Sequence, residues 1–183
     1  MRVISGQYRR TVLNTLPGDN TRPTTDRIKE TLFNIISEEV NGSTFLDLFA
    51  GSGQIGIEAL SRYADSVTFI DNNMKATDCI NDNLRKCRIE EGYTVICSDV
   101  ISSLKRFKDN TFDMVFMDPP YGKGLEKEVL YILSDSNIVK NDGLIIVEAD
   151  LDTDFNYISE LHFTDVRDKQ YKTNRHLILR KGT

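Results

Sequence analysis

Four consecutive residues, Asp118-Pro119-Pro120-Tyr121, combine an acid, two prolines and an aromatic ring at the end of an apolar run. An exocyclic amine on a purine is a poor nucleophile, because its lone pair is delocalised into the ring. The Asp118 carboxylate and the Pro119 carbonyl can each accept one N–H bond from such an amine, which turns the lone pair outward. Tyr121 offers a ring on which a base stacks. These residues predict methyl transfer to an amino nitrogen, with Asp118, Pro119 and Tyr121 as catalytic residues; the plainer interpretation is a turn stiffened by proline.

A glycine-rich segment predicts a second binding feature. Gly51-Ser52-Gly53-Gln54-Ile55-Gly56, here called the glycine loop, has GxGxxG spacing, and Asp71 lies about 20 residues beyond Gly51. Glycines let a backbone turn tightly and approach a ligand, a helix N-terminus presents free N–H groups, and an acid binds ribose hydroxyls. We expect a nucleoside cofactor held by Gly51, Gly53 and Asp71. The pattern alone fits both a nicotinamide dinucleotide and S-adenosylmethionine.

Charge favours one of these two cofactors. The predicted strand ends carry acids and no lysine or arginine; the acids are Asp47, Asp71, Asp99 and Asp118. Clustered acids attract a cationic ligand, and S-adenosylmethionine bears an ammonium and a sulfonium against one carboxylate, whereas a dinucleotide brings an anionic pyrophosphate. We therefore expect S-adenosylmethionine. Asp99 also has a plainer role, because aspartate is a frequent N-cap and a helix is predicted to begin at Val100.

The rest of the chain predicts the elements that position these residues. Short apolar strands alternate with helices, the arrangement of a parallel sheet covered on both faces. Strands are predicted at residues 44–49, 66–70, 93–97, 112–117 and 144–147, with two β-like segments at 161–166 and 176–179. Helices are predicted from a cap at residues 24–26 to Asn41-Gly42 and at residues 54–62, 73–89, 100–107 and 125–133. The expected fold is a doubly wound α/β fold with a mostly parallel seven-stranded sheet, in which ligands bind at the carboxyl ends of the strands.

Length and composition set the organisation. The chain has 183 residues, of which 39% are hydrophobic, enough for one well-buried core and too few for two ordinary domains. We expect one domain, residues 1–183, in which residues 1–42 form a basic N-terminal extension and helix. No run approaches the roughly 20 apolar residues that span a membrane. A soluble cytoplasmic protein, without a membrane partner, is the expectation.

The cysteines predict neither disulfides nor metal. Cys79, Cys87 and Cys97 are odd in number and lack CxxC spacing, and His162 and His176 are the two histidines. Such a set forms neither a disulfide framework nor a zinc site. We expect three buried, reduced thiols and no metal ion.

Charge is distributed unevenly along the chain. A formal net charge of −5 and a pI near 5.1 argue against coating of nucleic acid through bulk electrostatics. Basic residues nevertheless concentrate near both termini: Arg2, Arg9, Arg10, Arg22, Arg27 and Lys29, then Arg167, Lys169, Lys172, Arg175, Arg180 and Lys181. This distribution leaves two interpretations open, a local polyanion-binding face and solvated charge on terminal strands.

Two sets of residues resemble known proteins. The segment Leu46-Asp47-Leu48-Phe49-Ala50-Gly51-Ser52-Gly53, together with Asp118-Pro119-Pro120-Tyr121, resembles class I S-adenosylmethionine-dependent methyltransferases that act on amino groups. Arg22-Pro23-Thr24-Thr25-Asp26-Arg27, the following Thr31-Leu32-Phe33-Asn34, and the leading Arg2-Val3-Ile4-Ser5-Gly6 are similar to the RsmD-type bacterial methyltransferases. That family modifies guanine N2 in a hairpin loop of 16S ribosomal RNA. The similarity runs from residue 2 to about residue 180.

The resemblance implies a role for each site residue. Asp47 and the glycine loop would bind the methionine end of the cofactor, Asp71 the ribose and Asp99 the adenine amino group, while Asp118 and Tyr121 would hold the target base. The implied partner is 16S ribosomal RNA or a small-subunit assembly intermediate, bound by a monomer. The candidates for RNA contact are Arg9, Arg10, Arg22, Arg27 and Lys123.

The chain departs from the family pattern at two places. Arg10 stands where the family tends to have glycine, and Tyr171-Lys172 stands where it tends to have Tyr-Gly. Neither position carries the chemistry, but both concern RNA contact. Three alternatives stay open at this point: methylation of adenine N6 or a protein amide, a nicotinamide-dependent oxidoreductase, and a non-catalytic RNA-binding assembly factor.

Overall fold

A single sheet organises the chain. The structure, a computed structural model, describes residues 1–16 and 26–182. Its strands are β1 (Thr44–Leu48), β2 (Ser66–Asp71), β3 (Tyr93–Cys97), β4 (Phe112–Met117), β5 (Val139–Ala149), β6 (Phe163–Gln170) and β7 (Arg175–Lys181). Its helices are α1 (Asp26–Ile35), α2 (Ser37–Val40), α3 (Gln54–Ser61), α4 (Met74–Lys86), α5 (Val100–Leu104) and α6 (Leu125–Asp135), with a short 3-10 helix at Asn156–Glu160.

The strand order is β3-β2-β1-β4-β5-β7-β6. Strands β1 to β5 pair in parallel, whereas β7 is antiparallel to β5 and β6 is antiparallel to β7. One face carries α1, α3 and α4, whose buried residues include Leu32, Ile57 and Ile80. The other face carries α5, α6 and the 3-10 helix, with Leu104 and Leu133 among its buried residues. The predicted doubly wound, mostly parallel seven-stranded fold is confirmed.

Strand β5 is longer than the predicted 144–147. A register shift separates the pair Phe112 and Val139 from the pair Met114 and Leu144. The intervening residues 140–142 are polar, so the apolar pattern indicated only the second half of the strand. The two C-terminal strands also extend beyond their predictions, because residues 165–170 of edge strand β6 are exposed and give no apolar signal.

The predicted helix before β1 is divided into α1 and α2. Ile36 lies between them with φ −101° and ψ 10°, and the Ser37 hydroxyl donates a hydrogen bond to the Asn34 carbonyl at 3.1 Å. Such a side-chain bond competes with the backbone ladder and shortens helices. The predicted cap at residues 24–26 lies mostly outside the described residues, which resume at Asp26.

Residues 1–13 form an N-terminal hairpin that packs against α3 and α4. An isolated antiparallel bridge joins Arg2 to Val12, and Val3 and Leu13 are buried in the core. The Glu58 carboxylate of α3 accepts the backbone N–H groups of Ile4 and Ser5 at 2.8 and 3.0 Å. The hairpin is therefore part of the folded core on that face.

Several basic side chains are neutralised by the fold. Lys29 is fully buried, 3.4 Å from Glu58, and donates to the Arg2 carbonyl at 2.7 Å. Near the C-terminus, Arg175 pairs with Asp168 and Arg180 with Glu39. For these residues the structure favours paired charge over a polyanion-binding face.

The expectation of three buried thiols is wrong for one cysteine. Cys79 and Cys87 are buried, but Cys97 is exposed, because it ends edge strand β3 where no further strand covers it. Within residues 1–16 and 26–182, no cluster of His, Cys, Asp and Glu has the arrangement of a metal site. Helices in the same ranges are too short or too polar to cross a bilayer.

Candidate active site

Five adjacent strands carry ionisable side chains at one edge and on one face of the sheet. Along the sheet they are Asp71, Asp47, Asp118, Glu148 and His176. Side chains alternate between faces along a strand, and the residues two positions from each of the five belong to the same apolar cluster. The structure thus brings together three of the four predicted acids. Asp71, Asp47, Asp118 and Glu148 are called the carboxylate row below.

The glycine loop turns the chain sharply from β1 into α3. Gly51 and Gly53 have φ of 55° and 74°, values that glycine adopts without strain. A Cβ atom on Gly51 would meet nothing within 4 Å, so this side of the loop is open. A Cβ atom on Gly56 would lie 2.3 Å from the Phe69 ring, so that glycine allows α3 to pack closely on β2.

Asp47 lies beneath the glycine loop. Its side chain is 1% exposed, and its Oδ2 atom accepts the Gly56 N–H at 2.9 Å. Burial raises the pKa of Asp47 to about 8, the Gly56 N–H opposes that rise, and the Asp71 charge adds to it. A buried carboxylate of this kind is stabilised by a cation placed beside it.

Asp71 and Asp99 each fix a local backbone turn. Asp71 accepts the Gly51 N–H and the Asn73 N–H, both at 2.9 Å, so it connects the end of β2 with the glycine loop. Asp99 is exposed and caps α5 by accepting the Ser102 N–H at 2.8 Å. The Ser102 hydrogen bonds lower the Asp99 pKa. The plainer role foreseen for Asp99 is therefore present, and its contact with adenine stays a prediction.

The residues that follow β4 form a corner beside the row. Asp118 is half-buried, Pro119 is buried and Pro120 is exposed, while the Tyr121 ring is 44% exposed. Burial raises the Asp118 pKa well above its usual value, and the charges of Glu148 and Asp47 raise it further. The corner can present a carboxylate and a backbone carbonyl to a flat amine next to a site suited to a cation.

Family membership determines which chemistry this edge performs. A profile of the family described as conserved hypothetical protein 95 matches residues 1–180. The chain belongs to this family. The match includes β1, the glycine loop, the carboxylate row and the corner after β4, so the family shares the whole edge.

Named relatives give this family a chemistry. The ribosomal RNA small subunit methyltransferase D of Haemophilus influenzae is 39% identical over 155 residues, covering 83% of this chain and 80% of the relative. The protein of the same name from Escherichia coli K12 is 36% identical over 152 residues, covering 83% and 76%. The predicted resemblance to the RsmD-type family is confirmed, and the chain is a methyltransferase by family.

A solved structure agrees along the whole chain. The Escherichia coli protein yhhF, described as a candidate methyltransferase, superposes with a TM-score of 0.87 at 32% identity and covers 100% of this chain and 98% of its own. The family fold therefore includes the antiparallel strands β6 and β7 as well as the parallel half.

Two residues at the family's shared edge were missed by sequence reasoning. Glu148 was not considered, and His176 was considered only as a metal ligand. Glu148 is 1% exposed and follows the apolar run of β5, as Asp47 and Asp71 follow theirs. A single acid at the end of an apolar strand was therefore a usable signal. His176 gave none, because its position depends on the antiparallel pairing of β7 with β5.

The predicted RNA-binding residues lie at different distances from the row. Arg9 and Arg10 are exposed near the tip of the N-terminal hairpin, where Gln7 donates to the Ser61 carbonyl at 2.9 Å. Ser61 ends α3, a helix of 8 residues and therefore about 12 Å long, whereas the glycine loop precedes its first turn. The structure does not bring Arg9 and Arg10 to the carboxylate row.

The other candidates are divided between the two ends. Lys123 is exposed two residues beyond Tyr121, so it belongs to the corner. Arg27 is exposed in the first turn of α1, next to Asp26, which pairs with Arg2. Arg22 lies outside the described residues. RNA contact by any of these side chains stays a prediction.

Proposed function

We propose that the protein transfers the methyl group of S-adenosylmethionine to the exocyclic N2 amino group of a guanine in a loop of 16S ribosomal RNA. The observation that carries this proposal is the position of Asp118 and Pro119 at the end of β4, next to the carboxylate row and the glycine loop. The named relatives support ribosomal RNA as the substrate class.

The chemistry of the edge fits the proposed cofactor. Asp47, Asp71, Asp118 and Glu148 give it negative charge on four adjacent strands. The ammonium and sulfonium of S-adenosylmethionine would be attracted there, whereas the pyrophosphate of a dinucleotide would be repelled. The open side of Gly51 leaves room for a ligand to approach the loop backbone. This arrangement disfavours a nicotinamide-dependent oxidoreductase.

The bound cofactor supplies an electrophilic methyl group. The Asp118 carboxylate and the Pro119 carbonyl accept the two N–H bonds of the guanine amine and direct its lone pair at that group. Because the nitrogen becomes more acidic as the C–N bond forms, it loses its proton late and needs no strong base. Tyr121 stacks on the base, a contact worth roughly 1–3 kcal/mol.

An unpaired guanine suits this corner better than a paired one. In a helix the N2 group lies in the base-paired edge, whereas a loop nucleotide can be splayed out and inserted into a pocket. Removing a base from its stack costs a few kcal/mol, which the Tyr121 stacking contact offsets in part. Free 16S ribosomal RNA and a small-subunit assembly intermediate both present such loops.

The same corner accepts adenine N6 or a protein amide, because each is a flat amine. The deciding experiment incubates the protein with S-adenosylmethionine carrying a labelled methyl group, and with small-subunit RNA, DNA or protein in separate reactions. Nucleoside mass spectrometry is expected to show N2-methylguanosine from the RNA. Label in adenine or in protein would replace the proposal by one of its alternatives, and RNA retention without label would indicate a non-catalytic assembly factor.

A further inference from the structure

A buried polar cluster adjoins the corner after β4. The Glu148 carboxylate accepts a hydrogen bond from the Asn174 amide at 2.5 Å and lies 3.2 Å from His176 Nε2. On its other side, His176 Nδ1 lies 3.1 Å from the Tyr171 hydroxyl. Glu148 is 1% exposed and His176 is fully buried. Buried ionisable groups are retained only with partners, so this cluster has to balance its own charge.

Strand pairing places the cluster beside Asp118. Met117 of β4 is in register with Val147 of β5, so Asp118 and Glu148 come next on neighbouring strands, and such strands lie about 4.8 Å apart. Glu148 is in turn the cross-strand partner of His176 on β7. The Phe116 ring lies edge-on to the His176 ring, with centroids 6.3 Å apart, which confirms that they share a face.

Adjacent carboxylates compete for a proton. Two like charges at this separation do not both ionise readily, and the protons leave the pair in coupled steps. The groups that act on Asp118 are Asp47 from β1 and Glu148 from β5. His176 from β7 and Tyr171 from the turn before it act through Glu148.

The orientation of His176 suits a cationic ring. One ring nitrogen lies against a Glu148 carboxylate oxygen and the other against the Tyr171 hydroxyl oxygen. An imidazolium donates from both nitrogens, and both of these oxygens can accept. A charged His176 would therefore satisfy both contacts and offset the Glu148 charge.

We propose that Glu148 and His176 are positioning residues: protonated His176 pairs with Glu148 and neutralises it, which keeps Asp118 the ionised carboxylate that holds the target amine. The inference rests on the proposed function in one respect, the role of Asp118 toward that amine. It assigns to the antiparallel strand β7 a part in the chemistry of the parallel half of the sheet.

Three variants test the charge balance. His176→Gln leaves Glu148 without its cation, so the acid limb of the pH–rate profile is expected to move up by roughly 1 pH unit. Glu148→Gln removes a like charge beside Asp118 and is expected to move the limb down. The double variant, with neutral amides at both positions, is expected to resemble Glu148→Gln. Tyr171→Phe is the matched control, since it removes a contact in the same cluster without changing its charge.

A direct titration separates this inference from the proposed function. Carboxyl ¹³C NMR on the protein without RNA follows Asp118 itself, with Asp118→Asn used to assign its signal. The expected result is Asp118 titrating at higher pH in His176→Gln, at lower pH in Glu148→Gln, and unchanged in Tyr171→Phe. If His176→Gln does not fold, Glu148→Gln and the double variant decide. Identical Asp118 titration in wild type and the folded variants overturns the inference, whereas shifted titrations with no methylation of RNA overturn only the proposed function.

Discussion

The carboxylates of the catalytic edge differ in the partners they bind. Asp47 is tied to the start of α3 and Asp71 to the glycine loop, while Asp118 faces other carboxylates and is left to act on a ligand. The positions of the three acids follow from the sequence, because each ends an apolar strand. Their partners do not, because Gly56, Gly51 and Glu148 come close only when the sheet forms.

Asp118 is expected to act on turnover more than on cofactor binding. Asp118→Ala removes one preorganised acceptor, so turnover is expected to fall by about 100-fold or more, while cofactor affinity stays within a few-fold of wild type. Asp118→Asn keeps one acceptor oxygen and is the control for shape. Methylation kinetics and equilibrium dialysis measure the two quantities; weak cofactor binding with normal turnover would contradict the assignment.

Asp47 is expected to make stability depend on pH. Its pKa of about 8 exceeds its ordinary 3.8, so the folded state binds the proton more tightly. That stabilisation is complete below the ordinary pKa and is lost as pH rises through the folded one. The unfolding free energy of the cofactor-free protein is expected to fall between about pH 4 and about pH 8, and Asp47→Asn should flatten the fall.

Urea unfolding at several pH values checks this dependence. Asp99→Asn is the matched control, because hydrogen bonds lower the Asp99 pKa and give its contribution the opposite sign, lost as pH falls. The control should leave the decline toward alkaline pH unchanged. Equal declines in wild type and Asp47→Asn would show that the Asp47 carboxyl is not strained by burial.

Between elements, Asn83 of α4 links the N-terminal segment to the glycine loop. It is fully buried, accepts the Asn14 N–H at 2.7 Å and donates to the Ser52 carbonyl at 2.9 Å. Asn83→Ala leaves buried groups unpaired, so a loss of about 1–3 kcal/mol in unfolding free energy is expected, together with weaker cofactor binding. Asn81→Ala is the control, since Asn81 bonds only the Thr77 carbonyl of its own helix. If cofactor titrations give both variants the same affinity, the link does not support the loop.

In the N-terminal hairpin, Arg10 has a left-handed backbone with φ 74°, as Arg88 after α4 does with φ 58°. That conformation costs a side-chain-bearing residue roughly 1–2 kcal/mol, so Arg10→Gly and Arg88→Gly should both be at least as stable as wild type. Only Arg10→Gly is expected to weaken RNA binding and to reduce the salt slope by about 1. Filter binding across salt concentrations compares them; equal slopes would remove Arg10 from the interface.

The elements were predictable where the pattern was local. The alternation of apolar strands and helices gave the parallel half of the sheet and its covered faces. The bulge in β5, the break at Ile36 and the exposure of edge strand β6 were not predictable, because each depends on contacts with other elements. The same holds for Lys29, whose burial follows from its pairing with Glu58.

At the scale of the whole molecule, charge and fold separate two tasks. The formal charge of −5 means that RNA has to be bound through local groups and not through bulk attraction. The carboxylate row lies at one end of α3, and the exposed Arg9 and Arg10 lie near its other end. An RNA that contacts both spans more than the target nucleotide, which is consistent with recognition of a folded loop.

The most direct test compares small-subunit ribosomal RNA from a strain lacking this protein with RNA from its parent. Nucleoside mass spectrometry is expected to show one methyl group missing from one guanine N2, restored by the wild-type chain but not by Asp118→Ala. Identical methylation in the two strains, or restoration by Asp118→Ala, would contradict methyl transfer at the corner formed by Asp118 and Pro119.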